Sequence, residues 1–198
     1  MLGYFWLSMH ELIKAHIARY IDLTDAEFNS FTSFLKHHKL RRKQYLLQAG
    51  DPCRYESFVI KGCLRTFSVD EKGQDHVLQF ATEGWWAGDL HSFLTGAPSM
   101  YNIEALEETE LLQLDKDSLE KLYKEIPKFE RFFRLIIQNA FIALQQRVSG
   151  TMSEKAEDRY NDFINKYPDL EQRLPQRQLA AYLGITPEFL SRIRAKKR

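Results

Sequence analysis

An α+β fold is predicted by three features of the sequence: glycine-punctuated β-rich runs between about residues 39 and 114, a helix-period apolar stripe from Phe129 to Val148, and a helix-turn-helix pattern between Leu174 and Arg194. Helical periods flank a block of strands instead of alternating with them. That order argues for an antiparallel roll or barrel, not a parallel sheet with crossover helices.

Met1-Leu-Gly-Tyr-Phe-Trp-Leu7 opens the chain with an apolar run that lacks the basic flank of a secretory signal, and Met9 is an alternative start. His10 to Tyr20 reads as a helix. Thr24-Asp-Ala-Glu27 is a capping box, with Leu23 and Phe28 spaced to form a hydrophobic staple and Phe31, Phe34 and Leu35 following on one face. Strands are expected at Tyr45–Gln48, Ser57–Ile60, Cys63–Phe67 and His76–Phe80, with turns at glycines 50, 62, 73, 84, 88 and 96. Asp115 caps a short helix that must stop before Pro127, because a residue preceding proline disfavours helical geometry.

The longest periodic segment carries Phe129, Phe132, Phe133, Ile136, Ile137, Ala140, Phe141, Leu144 and Val148 at spacings of three and four. This stripe is too broad for one seam. One side can cover the roll, leaving Phe133, Ile137, Ala140, Phe141, Leu144 and Val148 for an identical helix from a second copy; an intrachain core helix is an equal reading of the stripe alone. Ser149-Gly150-Thr151 interrupts the pattern as an expected hinge. Three parts result: residues 1–126 (helices and roll), 127–150 (central helix) and 151–198 (helix-turn-helix).

In the last part Leu179, Leu183, Ile185, Leu190 and Ile193 fall between two short helices, Ala180 supplies the small side chain at their crossing, and Gly184 supplies the turn. Thr186 caps the second helix, Pro187 suits its first position, and Glu188 complements its dipole. Glu188 and Arg192, four apart, share one face. Arg192 is suited to guanine acceptors and Glu188 to the cytosine amino group, with Ser191 assisting between them. A helix-turn-helix favours the dimer reading of the central helix, since paired recognition helices read the half-sites of a palindrome.

Net charge is only +1, yet from Arg173 onward seven cations face the single acid Glu188, a local balance of +6. Arg177, Gln178, Arg194, Lys196, Lys197 and Arg198 are therefore candidate phosphate contacts. Cys53 and Cys63 have no metal-ligand spacing and point to a reducing, cytoplasmic setting, and no apolar run approaches a membrane span.

In this order of parts the chain resembles the Crp/Fnr family of transcription regulators. Glu83-Gly-Trp-Trp-Ala-Gly-Asp-Leu90 with Asn102-Ile-Glu-Ala-Leu106, and Gln178-Leu-Ala-Ala-Tyr-Leu-Gly-Ile-Thr-Pro-Glu-Phe-Leu-Ser-Arg192, carry the resemblance. It implies a cyclic-nucleotide-type β-roll of the double-stranded β-helix (jelly-roll) kind, a dimerisation helix and a small DNA-binding domain. The implied partners are a palindromic DNA duplex, a second copy of the chain and RNA polymerase, with no membrane and no catalytic residues.

The resemblance also exposes departures. Cyclic-nucleotide-binding relatives carry Gly-Glu-Leu and then Arg-Ser or Arg-Thr; here Gly88-Asp89-Leu90 matches the first part and Ser99-Met100-Tyr101 replaces the second. A buried phosphate would lose its cation, so no cyclic nucleotide cofactor of the usual kind is expected. Leu144 and Gln145 stand where adenine-contacting hydroxyls would be. Three readings of the roll stay open: a structural body, a noncanonical nucleotide site, or a pocket for a less charged effector bounded by Gly88, Asp89, Leu90, Ser99, Met100 and Tyr101 with Trp85 or Trp86. Two cysteines cannot hold a four-thiolate cluster, and His76 and His91 sit in no ligand pattern for haem or another metal. The family's arginine at the position of Pro187 is absent, and the wing of longer relatives has no counterpart. Competing readings are a roll whose helix-turn-helix has lost DNA affinity, and a cupin-like metal enzyme, which would need a His-x-His pattern that is missing.

Overall fold

A computed structural model describes residues 2–196, with side chains from His10 to Lys196. The expectations placed on the side chains of the opening segment and on Lys197 and Arg198 lie outside the described residues. The chain forms two compact units, Met1–Thr66 with Phe80–Ile137, and Phe67–Gln79 with Gln138–Arg198.

The first unit begins with helices α1 (Leu2–Ile17) and α2 (Asp25–Ser33). The capping box forms as its sequence requires: the Thr24 hydroxyl accepts from the Glu27 amide at 3.2 Å and Glu27 accepts from the Thr24 amide at 2.8 Å. Among the described residues the chain then forms strands β1 (Lys36–Leu40), β2 (Tyr45–Leu47), β3 (Tyr55–Lys61), β4 (Leu64–Val69), β5 (Asp75–Ala81), β6 (Trp86–Ala87), β7 (Asn102–Ala105) and β8 (Thr109–Asp115). They build two four-stranded sheets in the orders β1-β8-β3-β6 and β2-β7-β4-β5. The β1-β8, β3-β8, β3-β6 and β2-β7 pairings are antiparallel, as expected for a roll. At the turn between β3 and β4, Gly62 takes φ of 101°, and a Cβ there would meet Thr109 Oγ1 at 2.5 Å. Only glycine fits.

Helix α3 (Leu90–Thr95) lies between β6 and β7, and α4 (Lys116–Glu125) is capped by Asp115, whose carboxylate accepts from the Ser118 amide at 2.9 Å. The long helix α5 (Lys128–Ser153) begins in this unit. Its Phe129, Phe132 and Phe133 enter one aromatic cluster: Phe129 stacks on Phe31 at 4.6 Å, and Phe133 meets Trp86 at 5.5 Å. Burying each ring contributes about 2–3 kcal/mol. Phe133 is therefore spent inside the protomer and is not available to a second copy, a correction to the expected interface. Gly150 is no hinge, because α5 continues unbroken to Ser153. Small residues at 149–151 lower helix propensity without ending a helix that backbone bonding already carries.

Within the second unit, α5 leads to α6 (Ala156–Lys166), the short α7 (Leu170–Arg173), α8 (Gln176–Leu183) and α9 (Pro187–Ala195). The tip of the β4-β5 hairpin, residues 67–79, groups with these helices. Its turn is self-sufficient: Asp70 Oδ1 accepts from the Lys72 and Gln74 amides, each at 2.9 Å.

His16 sits only 8% exposed among Tyr20, Phe58 and Phe132, with no hydrogen-bond partner for either ring nitrogen among the described residues. Burial, assisted by the charge of Arg19, holds its pKa down to about 4. The unfolded chain takes up this proton near pH 6.5 and the folded chain only near 4, so stability must fall as pH drops through that window. Thermal melts of the wild type and His16→Phe are expected to diverge on acidification from pH 7 to 4.5, with the variant losing less. Parallel curves would contradict this.

Candidate nucleic-acid interface and roll cavity

Helices α8 and α9 meet at Gly184, which takes φ 67° and ψ 35°. The Ile185 amide donates to the Ala180 carbonyl at 3.0 Å and the Gly184 amide to Ala181 at 3.3 Å, closing the α8 C-terminus as a Schellman turn. Leu179, Ala180 and Leu190 are fully buried at the crossing, with Leu183 and Ile193 nearly so. The Thr186 hydroxyl accepts from the Phe189 amide at 3.2 Å and Pro187 occupies the first turn of α9. Such a cap stabilises a helix by about 1 kcal/mol. Each of these features was expected from spacing.

The outward face of α9 presents Glu188, Ser191 and Arg192, all exposed. The Glu188 carboxylate is held below the usual range by its own backbone amide and then by the Thr186 hydroxyl, so it is ionised at neutral pH. Arg192 lies 5.1 Å above the half-buried Phe189 ring, which steadies the guanidinium; Phe189 thus acts as a platform. Arg177 is exposed and Gln178 half-buried on α8.

Arg194 differs from expectation. Its guanidinium bonds Glu171 at 2.9 and 3.0 Å and lies by Tyr160, which ties α9 to α6 and α7. It is a strut of the domain, not a free phosphate contact. Lys196 pairs with Glu157 at 2.7 Å, but both are exposed, and such a pair exchanges for a phosphate at little cost.

Of the six residues expected around an effector in the roll, Asp89, Ser99 and Tyr101 are joined by hydrogen bonds, whereas Leu90 and Met100 stand apart from them. Asp89 caps α3, accepting from the Ser92 amide at 3.3 Å through one oxygen and from the Ser99 hydroxyl at 2.7 Å through the other. The Tyr101 amide donates in turn to Ser99 at 3.0 Å. Leu90 and Met100 point outward, 39% and 74% exposed. Trp86 fills the core against Phe58 and Phe133, whereas Trp85 is exposed. A cavity of about 430 Å³ opens elsewhere, beside Tyr45, Gln48, Cys53, Arg54, Ser57 and Gln113, and of the expected lining only Gly88 reaches it. Ser57 and Gln113, bonded at 3.2 Å across β3 and β8, were missed because a polar residue inside a strand gives no signal until its pairing is known.

Glu56 is a second unforeseen group. One carboxylate oxygen is shielded from solvent without a hydrogen-bond partner among the described residues, and a Cβ on Gly88 would approach it to 2.6 Å. Burial, with the nearby Asp89 charge, pushes its pKa up to about 7. Cys53 and Cys63 are both buried thiols. Among the described residues, no group of three or more His, Cys, Asp and Glu side chains is arranged to hold a metal ion, and no helix is long and apolar enough to cross a membrane.

Residues 37–125 match the family described as Cyclic nucleotide-binding domain. The chain is 23% identical over 188 residues to the Fumarate and nitrate reduction regulatory protein of Vibrio cholerae serotype O1, covering 86% of this chain and 72% of that protein. In fold it is similar to FixK2 from Bradyrhizobium japonicum, with a TM-score of 0.72 and 17% identity over 82% of this chain and 83% of that one. It is also similar to CLP of Xanthomonas campestris, described as a c-di-GMP responsive global regulator, with a TM-score of 0.71 and 14% identity over 87% and 91% of the two chains.

For Glu56, the folded chain holds a proton up to about pH 7 that the unfolded chain releases near 4.5, so stability falls as pH rises through that interval. Glu56→Gln is expected to melt higher than wild type at pH 8 and no higher at pH 4.5. A constant difference between the two proteins at both pH values would show that the carboxyl is not held protonated.

Proposed function

We propose, from the premise that this chain belongs to the Crp/Fnr family of transcription regulators, that two copies bind one palindromic duplex through α9 and perform no catalysis. The observation that carries this reading is the capped, outward-facing start of α9, with Glu188, Ser191 and Arg192 on one exposed face and a buried α8-α9 crossing behind it. Arg192 reads guanine, Glu188 accepts from cytosine, and Arg177, Gln178 and Lys196 contact phosphates, with Lys197 and Arg198 adding charge.

Pairing of two copies is supported by the free part of α5. Ile137, Phe141, Leu144 and Val148 are 42%, 59%, 45% and 51% exposed, and their spacings of four, three and four form a heptad seam, with Ala140 exposed beside it. An apolar stripe of this length left in water calls for a partner, and a parallel copy of the same helix satisfies the pattern. Such an assembly works in the cytoplasm with RNA polymerase as a further partner.

The roll, on this reading, is no receptor for a cyclic phosphate of the usual kind. Asp89 is committed to Ser99, and residues 88–101 contain neither arginine nor lysine to neutralise a phosphate.

Replacing Arg192 with Ala should cost roughly 1–3 kcal/mol on a selected operator and relax preference at one base pair, while random duplex is bound nearly as before. Operator selection followed by competition titrations measures this, and equal losses on both duplexes would overturn the assignment. Phe141→Lys combined with Leu144→Lys should give a monomer in sedimentation at micromolar concentration, with operator affinity down at least about tenfold. A variant that stays dimeric would show that the seam lies elsewhere.

A further inference from the structure

We propose that the cavity of about 430 Å³ beside β2 and β3 is a binding site for a small polar zwitterion, an amino acid with an uncharged carboxamide side chain. Every residue of the site belongs to the first unit, so the proposal is independent of the DNA-binding reading.

The first observation is a polar layer inside the roll. Ser57 on β3 and Gln113 on β8 are cross-strand partners, fully buried and 8% exposed, and the Gln113 amide donates to the Ser57 hydroxyl at 3.2 Å. The next pair on the same face, Val59 and Leu111, is apolar and fully buried. The inner surface of the sheet thus turns from apolar to polar where the cavity begins. A carboxamide has two N–H donors and an oxygen that accepts twice, and a hydroxyl donates once. The bond between the two side chains uses one donor, and among the described residues neither makes another. Burying such groups is costly unless partners meet them, and a lining of this kind selects a molecule that both donates and accepts.

The second observation is the charge at the mouth. Asp51 and Arg54 are the charged residues of the lining, and both are exposed. No ion pair joins them to each other or to another described side chain. An acid and a base at one mouth, each left unpaired, suit a ligand that carries both signs, with its ammonium on Asp51 and its carboxylate on Arg54 in charge-assisted hydrogen bonds. A ligand of one sign would meet the like charge as well.

The third is that the loop bearing both charges is already fastened. The Gly50 amide donates to the Ser99 carbonyl at 2.8 Å, the Ser99 amide to the Asp51 carbonyl at 2.9 Å, and the Cys53 amide to the Ser92 hydroxyl at 2.8 Å. A mouth held in place loses little freedom when a ligand arrives. The volume falls within the range of roughly 300–1,000 Å³ that small-molecule sites occupy. Behind the mouth the lining carries no ionised group, so the part of the ligand that reaches Ser57 and Gln113 is neutral. A carboxamide there pairs with Gln113 through one donor and one acceptor on each side.

Titration calorimetry on the full chain tests the site, with L-glutamine as the probe and L-leucine and N-acetyl-L-glutamine as controls. Wild type is expected to bind glutamine, and both controls at least about tenfold more weakly, since leucine lacks the amide and the acetylated compound lacks the ammonium. Arg54→Gln and Asp51→Asn are exposed substitutions whose folding circular dichroism checks, and each should also lose at least about tenfold. Nuclear magnetic resonance supplies an arm that a purely structural pair would not move. The Gln113 side-chain amide signals, identified by their loss in Gln113→Leu, should shift as glutamine is added. Absence of binding up to about 10 mM glutamine, or binding that leaves the Gln113 signals in place, overturns the proposal. So does leucine that binds as tightly as glutamine, or full affinity in both mouth variants.

Discussion

The seating of Phe129, Phe132 and Phe133 at the start of α5 is the constraint on which the remaining architecture depends. A helix of 26 residues is about 39 Å long, and only its first turns meet the aromatic cluster built by α1, α2 and β3. Once those rings are buried, the rotation of the helix about its own axis is fixed. Ile137, Phe141, Leu144 and Val148 continue the stripe of Phe133 at spacings of three and four, and they are exposed where Phe133 is buried.

A comparable economy governs the roll. The Asp89 carboxylate and the Ser99 hydroxyl satisfy each other. A serine hydroxyl donates to a carboxylate that would otherwise need an external partner, so the loop between α3 and β7 is closed by its own polar groups. A polar cavity opens beside β2 and β3, lined by different residues. The Glu56 carboxyl lies against Gly88, where an added Cβ would have to displace it.

In the second unit, polar groups serve to join elements. Arg147 gathers three carbonyls from two elements, Arg159 donates to the carbonyls of Glu154 and Leu183, and Arg194 holds Glu171. Three arginines of the same type as the expected DNA contacts are thereby structural, and charge counting alone does not separate them from Arg177 and Arg192. Arg177 and Arg192, unlike these three, are exposed.

The sequence by itself determined everything governed by contacts a few residues apart. The Thr24 and Thr186 caps, the Asp115 cap, the Gly184 turn, the small Ala180 at the crossing and the heptad spacing of α5 follow from local backbone chemistry, which depends little on the remainder of the chain. The antiparallel roll was legible from its turn glycines for the same reason. Only the tertiary structure decided which members of a periodic stripe are spent, so that Phe133 is core while Phe141 is surface. It also decided that Asp89 pairs with Ser99 ten residues on, that α5 runs through Gly150, and that Arg147 meets carbonyls 69, 70 and 35 positions away. Such pairings are set by where strands and helices stack, and no spacing along the chain encodes a neighbour that the fold itself brings near.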